Sequence, residues 1–159
     1  MSVEELVARV GLPLATFVYC IASGFIPVLN AEVFLVAAAA LAPKEALPLI
    51  PVLAAAGQMV AKSGMYLGGR GVVRLPSEKR KADLEALRAR VARWRSRDLL
   101  VFVSAAVGLP PFFAVAILAG TLSFPFPRFL LAGFVGRVLR FGAVVAVPAL
   151  GRRLVGGAP

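Results

Sequence analysis

The sequence predicts an all-α integral membrane protein built from two similar units. Three observations predict this fold class. Hydrophobic residues are 60% of the 159 residues and charged residues only 16%, whereas a soluble domain carries about 25% charged residues. The uncharged stretches are long, and their order repeats along the chain. We expect one membrane domain over residues 1–159, with unit one at 1–71, a basic interfacial helix at 76–98 and unit two at 99–153.

The first long apolar stretch is interrupted in its middle. Residues 10–43 contain one charged side chain, Glu32, and their number fits neither one span of about 20 residues nor two spans with a turn. Pro27 and Asn30 lie near the centre, where a straight apolar helix would not place them. We expect two half-helices in a re-entrant hairpin, because broken backbone at membrane depth occurs where protein or a cavity satisfies it. The alternative is one ordinary span over residues 10–29.

The next apolar segment, residues 46–69, is predicted to cross the membrane. Its one charged side chain is Lys62. Gly57, Gly64 and Gly68 provide small surfaces on which a neighbouring helix can approach closely.

A basic segment separates the two units. Between residues 70 and 98 there are ten basic and four acidic residues, and apolar residues recur at spacings of three and four. This pattern predicts an amphipathic helix on the cytoplasmic face, near anionic lipid. A helix packed on its own protein is the alternative. Nucleic-acid binding is not expected, because a short basic loop in a membrane chain is usually the cytoplasmic one.

The second unit repeats the order of the first. Residues 99–127 are uncharged and broken at Pro110 and Pro111, and residues 129–151 resemble a full span. Pro27 precedes Pro110 by 83 residues, and Pro43 precedes Pro125 by 82. These offsets suggest a duplicated unit, and broken helices in corresponding positions indicate a transport site near the bilayer midplane.

Four ionisable side chains are predicted at membrane depth: Glu32, Lys62, Arg137 and Arg140. Each costs free energy there, so each requires a reason. Glu32 either carries a proton for transport or pairs with a cation, most simply Arg137 or Lys62. Arg137 and Arg140 share a helix face and, with Lys62, favour an anionic head group. Snorkelling to the interface is the alternative for the two arginines.

Several classes of chemistry are not expected. The chain has no histidine and one cysteine, Cys20, which disfavours zinc sites, haem ligation and disulfide frameworks. No phosphate loop or acidic metal motif occurs. The sequence therefore predicts neither an enzyme nor a cofactor or metal site.

The residues resemble the DedA family, also called VTT or SNARE-associated membrane proteins, in its short bacterial form. The resemblance covers roughly residues 20–141. It rests on four groups of residues: Phe25-Ile26-Pro27 with Glu32, the stretch 64–71, Pro110-Pro111 with Ala119-Gly120, and Phe129 to Arg140.

This resemblance implies two facing re-entrant hairpins and movement of lipid between leaflets. The cargo would be a phospholipid or a polyprenyl phosphate, with proton coupling through Glu32, which looks like the acidic residue of the family's first hairpin. Typical members carry an arginine on each side of the second hairpin's proline, where this chain has Val107 and Phe113. Arg137 and Arg140 are the replacements we expect.

Two alternative functions stay open, a small proton-coupled exporter of solutes or drugs and a membrane scaffold without transport. The expected partners are membrane lipids, with anionic lipid at the basic helix, and a homo-oligomer is left open. The expected location is the bacterial inner membrane.

Overall fold

The computed structural model describes residues 11–26, 28–72, 89 and 97–155. This part of the chain contains helices and no strand, which confirms the predicted all-α class for the residues described. The helices are α1 (Leu12–Phe25), α2 (Ala31–Leu41), α3 (Leu49–Val72), α4 (Arg97–Val107), α5 (Phe112–Thr121) and α6 (Phe126–Val155), and a 3-10 turn (Lys44–Ala46) lies between α2 and α3.

The first apolar stretch forms two short helices. α1 ends at Phe25 and α2 begins at Ala31, while Pro27, the predicted break, lies outside the described residues. The side-chain oxygen of Asn30 accepts hydrogen bonds from the amides of Glu32 (2.9 Å) and Val33 (3.3 Å). Asparagine is a favoured residue at this capping position because its side chain satisfies amides that have no partner within the helix.

α1 and α2 fold back on each other and form a hairpin. The rings of Tyr19 and Phe34, one from each helix, stack with centroids 4.2 Å apart. The apolar stretch of residues 10–43 is therefore divided between two packed helices, and the helix within residues 10–29 is the 14-residue α1.

The second apolar stretch is divided in the same way. α4 ends at Val107, and Gly108 follows with a φ of +88°, a conformation that favours glycine at a helix C-terminus. The hydroxyl of Ser104 donates to the carbonyl of Pro110, which fixes the turn. Pro110 and Pro111, the predicted break, lie between α4 and α5.

One described helix is long and apolar enough to cross a membrane. It is the part of α6 from Phe126 to Val147, with 22 residues and a mean hydropathy of 1.8, close to the span predicted over residues 129–151. α3 has 24 residues but does not reach that hydropathy, because Gln58 and Lys62 interrupt it. The predicted basic helix over 76–98 lies outside the described residues, apart from residue 89 and the start of α4.

The chain forms two compact units. One contains the described residues of 1–61 and 137–159, and the other contains those of 62–136. Each unit thus has one hairpin and one part of each long helix. The division between the units falls within both long helices, after residue 61 in α3 and after residue 136 in α6. The linear units expected at 1–71 and 99–153 stay a prediction.

In the first unit, α1 packs closely on α3 at Gly57. A Cβ atom at that position would overlap the carbonyl oxygen of Phe17 and would lie 3.1 Å from the Cβ of Cys20 and 3.2 Å from the amide nitrogen of Ile21. A side chain larger than hydrogen would therefore push the two helices apart.

In the second unit, α4 packs closely on α6 at Gly136. A Cβ atom there would lie 2.7 Å from the carbonyl oxygen of Phe102, 2.9 Å from the Cβ of Ala105 and 3.1 Å from the amide nitrogen of Ala106. This helix pair also depends on the absence of a side chain.

α3 and α5 meet at two further glycines of the second unit. A Cβ atom on Gly69 would overlap the carbonyl oxygen of Ile117, and one on Gly120 would overlap that of Tyr66. Gly64 and Gly68, which we expected to pack against a helix, are exposed, and a Cβ on Gly68 would meet no atom within 4 Å. The close approach thus lies one residue beyond Gly68, on a different face of α3.

Aromatic side chains form the core of the second unit. Tyr66 and Phe129 are fully buried, and their ring centroids lie 5.0 Å apart. Phe112 also stacks on Phe129, with centroids 5.9 Å apart. The Tyr66 hydroxyl donates to the carbonyl of Phe124, which satisfies the one polar group of the cluster.

Candidate functional site

The first unit contains an ion pair between Glu32 and Arg140, which are 108 residues apart in sequence. Glu32 lies in the first turn of α2, where the helix dipole favours a negative charge. Arg140 lies on α6 and donates from Nε to Glu32 Oε1 at 2.7 Å, and its Nη2 donates to the same oxygen. The sequence offered Arg137 or Lys62 as the partner, but the structure brings Arg140 to Glu32.

This ion pair is half-buried. The side chain of Arg140 is 28% exposed and that of Glu32 is 39% exposed. Both nitrogens of Arg140 use one carboxylate oxygen, so the second oxygen of Glu32 takes no bond from this arginine. Both side chains are therefore partly accessible, while the ion pair links α2 to α6.

Arg137 adds a second positive charge beside the pair. It precedes Arg140 by three residues on α6, so the two side chains lie on one face of the helix. Its guanidinium carbon lies 5.6 Å from the centroid of the Phe141 ring, within cation–π range, and its charge lies close enough to those of Arg140 and Glu32 to interact with both. Two arginines and one carboxylate give the cluster a net charge of +1.

Two uncharged polar side chains of the same unit were not anticipated from the sequence as site residues. Gln58 Nε2 donates to Ser23 Oγ at 3.0 Å, and Ser23 Oγ donates to the carbonyl of Cys20 at 3.1 Å. Gln58 is 5% exposed and Ser23 8% exposed. A signal was present, because Gln58 is the one glutamine of the chain and interrupts an apolar helix.

The other predicted site residues occupy different positions in the fold. Lys62 belongs to the second unit, is 6% exposed and places its ammonium 3.7 Å from the sulfur of Met65. Asn30 caps α2, next to Glu32, whereas Pro110 and Pro111 form the turn of the second hairpin. Within the described residues, no group of three acidic, cysteine or histidine side chains could hold a metal ion.

The cluster can therefore bind an anion or a proton. Two guanidinium groups on one helix face present donors that suit the oxygens of a phosphate. The carboxylate of Glu32 competes with such an anion for the guanidinium group of Arg140. A neutral carboxyl group would no longer form an ion pair with Arg140. No protein-family model matches the chain, and neither a curated protein nor a solved structure matches it at a significant level.

Proposed function

We propose that the protein moves lipids with anionic head groups between the leaflets of a membrane, through the cluster of Glu32, Arg137 and Arg140. The observation that carries the proposal is the ion pair of Glu32 and Arg140 on a helix that follows a break in an apolar segment. An ion pair in such a place is costly and is typical of a substrate or proton pathway.

The exposed apolar surface supports a membrane location. Only 22% of the most apolar part of α6 is buried within the protein, whereas a core helix of a soluble protein is mostly buried. Large apolar side chains are exposed on the other helices as well, with Val33 67%, Leu41 73% and Leu67 58% exposed. Exposed apolar surface of this extent is typical of contact with lipid.

The two hairpins support a transport role. Each consists of two helices that are too short to cross a bilayer core of about 30 Å, since a spanning helix needs about 20 residues. α1 and α2 have 14 and 11 residues. Short paired helices in corresponding places are found where transporters bind their substrates. The resemblance to the DedA family belongs to this proposal, with Arg137 and Arg140 in place of the arginines absent at Val107 and Phe113.

The mechanism follows from competition for Arg140. While Glu32 is ionised, its carboxylate occupies the guanidinium group of Arg140. When Glu32 takes up a proton, the carboxyl group is neutral, and Arg140 with Arg137 can accept the phosphate of a lipid head group. Departure of the phosphate lets Glu32 release its proton and restore the ion pair. One proton is therefore taken up for each anion bound, and by linkage each favours the binding of the other.

Leaflet exchange in liposomes tests the proposal. The purified protein is reconstituted alone, and exchange of fluorescent phosphatidylglycerol and phosphatidylcholine is measured by chemical quenching of the outer leaflet. We expect exchange above that of protein-free vesicles, and faster exchange for phosphatidylglycerol than for phosphatidylcholine. Equal rates in vesicles with and without folded protein, with either lipid and with or without a pH gradient, would contradict lipid translocation and favour solute export or a scaffold.

Three variants assign the roles. Glu32→Gln should speed the exchange of phosphatidylglycerol, because Arg140 is then never held by a carboxylate. Arg140→Gln should slow phosphatidylglycerol about tenfold, the effect expected of one charge-assisted hydrogen bond. It should slow phosphatidylcholine less, because the choline ammonium offsets the charge of that lipid's phosphate. Glu45→Gln is the matched control, since Glu45 is an exposed acid of the same unit on the 3-10 turn. Wild-type behaviour of both site variants would remove the cluster from the mechanism.

A further inference from the structure

The second unit contains a groove that the proposed transport cluster does not use. It lies between α4 and α5 and is open to its surroundings, and its volume of about 300 Å³ includes the open mouth. Apolar side chains line it, among them Leu100 and Val101 from α4, Val115 and Leu118 from α5, and Phe124. One cation, Arg97, also lines it.

The positions of these residues give the groove a direction. Arg97 precedes Leu100 and Val101 by three and four residues, so all three lie on one face of α4. The α5 side of the groove runs from Val115 to Leu122, which is seven residues or about 10 Å of helix. Because the chain turns between α4 and α5, the start of α4 with Arg97 lies beside the end of α5. The positive charge therefore stands at one end of an apolar channel.

An apolar channel with one cation at its end is complementary to an anionic amphiphile. A soluble anion would leave the apolar walls without a partner, and a zwitterionic lipid would gain less from Arg97, because the ammonium group of its head group offsets the charge of its phosphate. Lipid chains are as apolar as leucine, so the walls alone give little preference for a bound lipid over bulk lipid. The preference must come from the charge-assisted hydrogen bonds of the guanidinium group.

We propose that this groove binds the upper part of an acyl chain of an anionic phospholipid, with the lipid phosphate on Arg97. The inference rests on the membrane location proposed above but not on lipid translocation. The groove shares no residue with the cluster of Glu32 and Arg140, and it belongs to the other unit. The lipid bound in the groove therefore has no part in the proposed translocation. The bound lipid would stabilise the packing of α4 and α5 in the second hairpin.

Photolabelling of the full chain in lipid vesicles tests this site. Phosphatidylglycerol and phosphatidylcholine with the same diazirine-bearing acyl chain are compared, and the labelled peptides are identified by mass spectrometry. We expect phosphatidylglycerol to label residues 100–124 several times more than phosphatidylcholine does. Arg97→Gln should lower that labelling to the level of phosphatidylcholine, which is a loss of the same several-fold size.

Two further variants make the result specific. Arg128→Gln removes another exposed cation of the same unit that does not line the groove, so its labelling should match the wild type. Ala119→Leu fills the groove and should lower labelling, with helical content measured by circular dichroism as the check on folding. Equal labelling by the two lipids, labels outside 100–124, or an unchanged Arg97→Gln variant would overturn the site.

The same vesicles separate this inference from the proposed function. Selective labelling without leaflet exchange would retain the groove as a lipid site and remove translocation. Leaflet exchange without selective labelling would do the reverse.

Discussion

Gly57 and Gly136 are each crossed by a helix in the same way. In both places the nearest atoms to an added Cβ are a carbonyl oxygen, the Cβ three residues further along the crossing helix, and the amide nitrogen of the residue after that. Gly57 meets α1 within the first unit, and Gly136 meets α4 within the second. The two crossings therefore share one local geometry, and the duplication that the proline offsets suggest stays a prediction.

The first prediction concerns these two glycines. Gly57→Ala and Gly136→Ala should each lower the free energy of unfolding by about 1–3 kcal/mol, because the added methyl group overlaps backbone atoms that cannot rotate away. Thermal unfolding in detergent micelles measures the effect. Gly68→Ala is the matched control on an exposed face of α3, where alanine should be neutral or up to about 1 kcal/mol stabilising. Equal midpoints for the three variants would contradict both close crossings.

The second prediction concerns the Tyr66 hydroxyl. Tyr66→Phe keeps the stacked ring but leaves the buried carbonyl of Phe124 without its donor, so we expect a loss of about 1–3 kcal/mol. Tyr19→Phe is the control, because the described part of the chain shows ring stacking but no hydrogen bond for the Tyr19 side chain. A thermal midpoint for Tyr66→Phe as high as that for Tyr19→Phe would show that the hydroxyl contributes nothing.

A third prediction addresses the buried polar pair of the first unit. Ser23→Ala removes the acceptor of the Gln58 amide and should cost about 1 kcal/mol, within the range measured for hydrogen bonds between membrane helices. In the Gln58→Leu background the same change should cost less, because no buried amide is then left without its partner. A double-mutant cycle on thermal stability measures the coupling. Additive effects of the two changes would mean that the hydrogen bond carries no stability.

The fourth prediction concerns the contribution of the ion pair of Glu32 and Arg140 to stability. Glu32→Arg and Arg140→Glu should each destabilise the fold, since like charges then face each other in a half-buried place. Combining them should restore part of the stability, with about 0.3–1 kcal/mol still missing because an arginine in the first turn of α2 opposes the helix dipole. Thermal unfolding of the four proteins checks this. If the double variant is less stable than either single one, Glu32 and Arg140 are not partners.

The breaks in both apolar stretches could be predicted from sequence because their cause is local. A proline lacks an amide hydrogen, and the Asn30 side chain competes with the backbone for amide donors, so both restrict where a helix can continue. The described ends of α1, α2, α4 and α5 lie around the predicted positions. The length and apolarity of α6 are likewise properties of one segment.

Partners could not be predicted in the same way. The sequence contains several cations at membrane depth that could pair with Glu32. The spacing does not distinguish Arg140 from Arg137, because the two arginines are one turn apart on one face of the helix. The choice of Gly69 over Gly68 as the point of close approach depends on which neighbour each side of α3 meets. These contacts join residues that are distant in sequence and depend on packing rather than on local preference.

The ion pair of Glu32 and Arg140 also has an electrical consequence. With Glu32 ionised, the cluster with Arg137 carries one net positive charge. With Glu32 protonated and a phosphodiester bound, it again carries one, because the proton adds a charge that the phosphate removes. Moving one elementary charge through a potential of 100 mV takes about 2.3 kcal/mol. Binding of one proton and one phosphodiester together leaves the net charge of the cluster unchanged. Under the proposed mechanism the membrane voltage therefore neither drives nor opposes lipid entry.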